Sequence, residues 1–414
     1  MRILVYPHEL VIGGSPINAI DTAAQVASYG HEVIIYGIRG PLVPYIEKLG
    51  LRYIAANESP YRPSPGRIHE LASIVRREKL DLIHAYEWST CLDAFYGAAF
   101  WQKVPLLCTV LSMQVQPFVP PSVPLIMGTQ KLGTEARKRQ QAKVWVVEPP
   151  IDTKNDSPEF NGAGFRKSID VPERVPLIAL VSRLAIDLKL DALVQAIDAM
   201  EILSLIHPVK LVIVGDGPAR AALEARAERI NKSRRREVIR FAGAMLDPRP
   251  AYAAADIVVG MGSSAMRAMA IGKPVVVQGE RGFCKTFSPE SKDYFLREGF
   301  YGVGDGSSGA KQLAEHINSL IVNANERAVL GQYGRETIDG RFSLSQAGDL
   351  HLDIYRQVLE ERPRYPAADA FKSAYLALMQ EVRNHDPRRK RERQLREFSL
   401  LEAARSIPAY PAPK

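Results

Sequence analysis

The sequence predicts an α/β protein built as two Rossmann-like domains facing each other across a cleft. Three observations carry this reading. Strand-like and helix-like segments alternate in two separate runs, and a turn-rich stretch interrupts them. In each run a glycine or cationic turn falls at the carboxyl end of a strand, the edge where open α/β sheets bind ligands. The length of 414 residues is too great for one ordinary domain and suits two of about 150 to 200 residues each.

The first run opens with RILVY, a continuous aliphatic and β-branched segment that reads as a buried strand. GGSPINAIDTAAQVASYG follows, with Ile17, Ile20, Ala24, Val26 and Ala27 at roughly helical spacing and Gly30 as the stop. HEVIIY is the next strand. IHELASIVRREK, LDLIHAY, TCLDAFYGAAFWQ and VPLLCTV then alternate as helix, strand, helix and strand. Strands separated by helical segments require crossover connections and hence parallel pairing. Residues 148–176 break the pattern with EPPIDTKNDSPEFNGAGF, a linker composition, so a hinge is expected near residues 150–175. The second run comprises LIALVS, LDALVQAIDAMEIL, VKLVIVG, ARAALEARAERI, VIRFAG, AYAAA and DIVVGMG, and ends in a glycine turn, short helix and strand over 258–277. The expected boundaries are 1–160 and 172–345, with a helix over 346–362 returning toward the first domain. Residues 363–414 form a basic, helical and proline-rich tail. Its cationic run reads as a solvated face, since nucleic-acid binding would call for interleaved aromatics or a known module.

Composition narrows the functional classes. An apolar fraction of 46% with 24% charged residues belongs to a soluble globular chain able to bury a core without disulfides or metal. Cys91, Cys108 and Cys284 are odd in number and lack metal-ligand spacing, which points to a reduced, cytoplasmic setting and to no metal site. The apolar run in MRILVYPHEL is too short for a signal peptide, and no run reaches the ~18 residues of a membrane span. Peripheral attachment to a membrane stays open. The net charge of +8 favours an anionic ligand or surface without choosing among them.

Candidate site residues cluster at strand ends. Gly13, Gly14 and Ser15 lie between the first strand and first helix, where backbone amides can approach a phosphate or simply make a tight turn. Arg183 and Lys189 emerge from the first strand of the second run, where two cations could neutralise a diphosphate leaving group or simply be surface charges at a helix start. Gly215 and Gly217 form the next strand-to-helix turn at the same edge. His8, Glu9 and Glu87 lie at strand ends of the first domain as candidates for acceptor binding or proton transfer, and His84 reads as a satisfied core histidine.

The order of these segments resembles a GT-B glycosyltransferase of family 4, also called glycosyl transferases group 1. GGSPINAIDTAAQVASYGHEV is similar to that family's glycine loop, first helix and second strand. SRLAIDLKLDAL resembles its Arg-Leu…Lys diphosphate segment, with one extra residue between the cations. VGDGP, IRFAG, AYAAADIVV, AMAIGKPVVV, REGFYGVGDG and LGQYGRETIDGRFSL, with Tyr355, fall where the family has equivalent elements. The resemblance spans all but the tail.

It implies a GT-B fold with an acceptor domain first and a nucleotide-sugar donor domain second. It also implies a metal-independent, retaining transferase that needs no cofactor beyond its nucleotide-diphosphate sugar. Gly215, Gly217, Gly243, Gly262, Ser263 and Ser264 would join Gly13, Gly14 and Ser15 around the nucleotide. The acceptor could be a small molecule, lipid or glycan; neither nucleic acid nor an integral membrane segment is expected, and a homo-oligomer stays open.

Two departures stand out. The glutamates of the family's E-x7-E element fall on Val259 and Arg267, and its histidine after LLCTV falls near Leu111. Arg267 could bind an extra anionic donor group, pair with Glu280, or mark a lapsed active site. The Glu280 pair is the preferred structural reading, because a buried arginine needs a partner; Glu280 could instead supply the missing sugar contact. A nucleotide-sugar epimerase and a non-catalytic nucleotide-binding scaffold are the alternatives.

Overall fold

The structure, a computed structural model, describes residues 1–406 except Met113 and Ser308. The IPAYPAPK end of the expected tail therefore lies outside the described residues. The chain divides into two compact units, Met1–Asp152 with Phe342–Lys390, and Thr153–Arg341 with Arg391–Lys414.

The first unit holds strands β1 (Arg2–Tyr6), β2 (Glu32–Gly37), β3 (Arg52–Ala55), β4 (Leu82–Tyr86), β5 (Leu106–Val110), β6 (Leu125–Met127) and β7 (Val144–Val146). They form one sheet in the order β3-β2-β1-β4-β5-β6-β7, and every pairing is parallel. Strand β1 is paired on both sides, Ile3 with Val33 and with Leu82, which explains its unbroken apolar run. Apolar clusters cover both faces of the sheet. The helix Leu344–Glu361 packs on the Gly14–Ser28 helix, and Gly348 permits the close approach: a Cβ there would stand 2.5 Å from Gln25 Cγ. The segment after residue 341 thus returns to the first unit, tied by the bond from the Leu344 amide to the Ile151 carbonyl, 2.9 Å.

The second unit holds β8 (Leu177–Val181), β9 (Lys210–Val214), β10 (Ile239–Gly243), β11 (Ile257–Gly260), β12 (Val275–Gln278) and β13 (Cys284–Thr286), in the order β10-β9-β8-β11-β12-β13. All pairs are parallel except β12 with β13. The chain over 153–175 is built into this unit rather than left free. Gly162 sits so close to the Ala254 amide that a Cβ would lie 2.1 Å from its nitrogen. Arg335 donates to the carbonyls of Thr153 and Asp156 at 3.0 and 2.6 Å.

Strand order reverses between β1 and β4 in the first sheet and between β8 and β11 in the second. Neighbouring loops leave in opposite directions at such a point and open a crevice at the carboxyl ends of the strands. These two crevices locate the candidate residues.

Candidate functional site

In the second unit, β8 delivers Arg183 and then Lys189, which begins the Leu190–Ile206 helix. Arg183 is exposed and Lys189 half-buried. Burial pushes the Lys189 ammonium down to about 8, and Arg183 adds repulsion. A cation at the start of a helix also faces the positive end of the helix dipole. Leu188, just before it, holds a left-handed φ of 61°, unfavourable for a γ-branched residue. Lys189 is therefore kept beside a second cation where burial disfavours its own charge, an arrangement that a bound polyanion would relieve.

From β11 the chain turns through Gly262, with φ 57°, into the Ser263–Ala270 helix. The Ser264 hydroxyl donates to the Val181 carbonyl at 2.7 Å and lies 2.9 Å from the Tyr252 hydroxyl. Those bonds fix the helix start beside the exit of β8, two residues before Arg183. The Ser264 hydroxyl is thus taken up by the scaffold, and the Gly262 amide is likewise committed to the Phe300 carbonyl at 2.8 Å. The amides of Ser263 and Ser264 lie in the first turn, where an amide has no acceptor inside its own helix.

Gly215 and Gly217 pack the backbone. With φ of 149° and 154°, they lie against the loop carrying Arg183: a Cβ would come within 1.8 Å of the Ser182 carbonyl oxygen or 2.5 Å of that of Leu184. The Leu184 amide donates to Asp216 at 2.9 Å and the Gly215 amide to Gly243 at 2.8 Å, so the three glycines brace the cationic loop.

Arg267 does not pair with Glu280. Its Nε donates to Asp156 Oδ2 at 2.9 Å and its Nη2 to Oδ1 at 3.5 Å, with Asp156 almost fully buried. Glu280 instead accepts from the Tyr301 hydroxyl, and its backbone pairs with Gly302 and Gly304. The expectation failed because Asp156 lies in a stretch of linker composition 111 residues away from Arg267. No periodicity or motif marks it. Val259, at the other glutamate position, packs into the core of the second unit.

In the first unit the crevice between β1 and β4 brings Ser15 to Glu87. Glu87 follows β4 with a left-handed φ of 73°. Its Oε1 accepts from the Leu111 amide at 3.0 Å and from the Ser15 hydroxyl at 3.5 Å, while the buried Oε2 has no partner. Gly13 is extended and leads into the helix that begins at Gly14. This turn therefore has a carboxylate beside it rather than a cation. His8 and Glu9 pair with each other at 3.4 Å. His84 bonds Tyr355 and Thr109 at 2.7 Å each, fully buried and held neutral by desolvation, as a core histidine.

Among the described residues no group of three His, Cys, Asp or Glu could hold a metal ion, and no helix is long and apolar enough to cross a membrane.

Two Rossmann-like sheets, each with its site at a switch point, define the GT-B class. A glycosyltransferase from Rickettsia africae ESF-5 has this fold, with a TM-score of 0.69 at 17% identity over 86% of this chain and 98% of that one. So does Anabaena Alr3699/HepE, solved in complex with UDP-glucose, with a TM-score of 0.64 at 17% identity over 86% and 100%. Residues 164–337 match the family described as glycosyl transferases group 1. A relative by sequence, the lipopolysaccharide core biosynthesis glycosyltransferase LpsE of Rhizobium meliloti (strain 1021), is 27% identical over 215 residues. That match covers 49% of this chain and 57% of LpsE, so the chain spans little more than half the length of that relative.

Proposed function

We propose that the protein moves a sugar from a nucleotide-diphosphate donor to an acceptor hydroxyl, without a metal ion and with retention at the anomeric carbon. The observation that carries this reading is the pair Arg183 and Lys189 at the β8 switch point, where burial and the charge of Arg183 both disfavour the Lys189 ammonium. As the bond from the anomeric carbon to the diphosphate breaks, negative charge develops on the leaving group. The two cations meet it, and the Ser263 and Ser264 amides reach the distal phosphate. The acceptor oxygen bonds the anomeric carbon as the diphosphate leaves, and its proton passes to an oxygen of the departing diphosphate. Glu87, with Oε2 unpartnered beside Gly13, Gly14 and Ser15, suits a hydroxyl better than a phosphate, because like charges in a buried site repel. That assigns the first-unit edge to the acceptor. Relatives support the donor class, since HepE was solved with UDP-glucose. Retention rests on the family resemblance.

Arg183→Ala and Lys189→Ala should each lower turnover by about 10²- to 10³-fold, as removal of one charge-stabilising group commonly does. Unchanged turnover in both would remove the assignment. Loss of activity in chelator, restored by magnesium or manganese, would contradict metal independence. A second reading, a nucleotide-binding scaffold without turnover, is favoured by the commitment of Arg267 to Asp156 and of Val259 to the core. Calorimetric nucleotide binding, with no transfer on a broad donor and acceptor panel, would select it.

A further inference from the structure

The helix Ala367–His385 is packed the wrong way round for an ordinary surface helix. Its small residues Ala370, Ser373 and Ala377 face inward, whereas bulky apolar residues normally form the buried stripe. The inner face is firmly anchored: Ser373 donates to the Phe118 carbonyl at 2.6 Å, and Tyr96 donates to the Ala370 carbonyl at 2.8 Å. Ala377 packs with Leu92 and Phe118. Phe371, Tyr375, Leu378 and Val382 point outward instead, with 75%, 62%, 58% and 59% of their surface exposed. Their spacing places all four within an arc of about 60° along the helix. Tyr61, also exposed, extends the stripe through its ring contact with His385 at 5.9 Å.

Charge lies along one side. Lys372 and Arg383 directly follow Phe371 and Val382, so both flank the stripe on the same side, and both are exposed. Arg388, Arg389 and Lys390, exposed as well, continue the cationic character past the helix end. Glu381, on the opposite flank, is engaged by the Arg62 amide at 3.1 Å.

We propose that this outer face docks on an anionic lipid bilayer. The apolar stripe would enter the headgroup boundary, and the cations would pair with lipid phosphates. Aromatic and aliphatic side chains along one arc with flanking cations are what an interfacial helix requires. A second copy of the chain fits less well, because the same cation cluster would meet itself across a two-fold axis. The proposal stands independently of the transfer reaction.

The test is cosedimentation of the full chain with vesicles of equimolar phosphatidylglycerol and phosphatidylcholine, against vesicles of phosphatidylcholine alone. The protein should pellet with the anionic vesicles. Replacing Phe371, Tyr375 and Leu378 together by serine should weaken binding at least about tenfold, and so should replacing Arg388, Arg389 and Lys390 by serine. Equal pelleting with neutral vesicles, or full retention by either variant, would overturn the proposal. A lipid-free dimer that the first variant dissolves would overturn it too, assigning the stripe to contacts between copies. If the first variant folds poorly, Phe371→Trp supplies the readout: a blue-shifted emission on adding anionic vesicles supports docking, and unchanged emission contradicts it.

Discussion

Lys189 links burial to ligand choice. Its ammonium titrates near 8 in the free protein because burial and Arg183 penalise the charge. On the proposed function the charged form is the one that binds a diphosphate, so affinity should be fully present below that value and fall as pH rises through about 8. Bound diphosphate pulls the pKa up again, so the loss shows in the free protein and not in the saturated complex. Lys189→Arg, whose guanidinium stays charged, should hold its affinity flat to about pH 9.5. Nucleoside-diphosphate titrations across pH check this, and a flat wild-type profile would contradict it. Arg267 has the opposite character, a cation already satisfied. Arg267→Glu would set a second carboxylate against buried Asp156 and should cost about 3 kcal/mol of stability, less than a fully buried pair because Arg267 is partly exposed. It should not raise turnover. Thermal denaturation with activity assays checks both, and raised activity would mark Arg267 as a lesion in a decayed site.

At the scale of elements, the loop carrying Arg183 is shaped by the glycines of its neighbour. Gly215→Ala would drive a Cβ into the Ser182 carbonyl at a φ that side chains rarely adopt, and should destabilise the second unit by about 3 kcal/mol or more. Gly262→Ala, where a Cβ meets nothing within 4 Å but φ is 57° and ψ −134°, should cost less, about 2 kcal/mol. Equal thermal shifts in the two variants would contradict this account of the loop. These glycines were legible in the sequence, but their packing role was not, because a glycine in a turn looks the same whether ligand or backbone approaches it.

Strands with continuous β-branched or aliphatic runs, such as β1, β4, β8 and β12, were equally legible. Strands β3, β6, β7 and β13 were not, since three or four residues such as CKT or LIM carry no period to read. Lys189 stood out in the sequence as a cation following a buried strand, a pattern that a surface charge at a helix start also produces. Asp156 could not, since its partner is fixed only by how the chain over 153–175 folds onto the second unit.

At the scale of the molecule, each unit carries its own core and its own switch-point crevice. The family match lies wholly within Thr153–Arg341, the contiguous part of the second unit. The central claim is that this unit binds a nucleoside diphosphate through Arg183 and Lys189. Isothermal titration of UDP, GDP and ADP into the wild-type protein and into Lys189→Ala, at neutral pH and without added metal, tests it most directly. At least one nucleotide should bind the wild type, and the variant should bind it at least about tenfold more weakly, the loss expected for one charge-assisted contact. Undiminished binding by the variant, or no binding of any of the three by the wild type, would contradict the account.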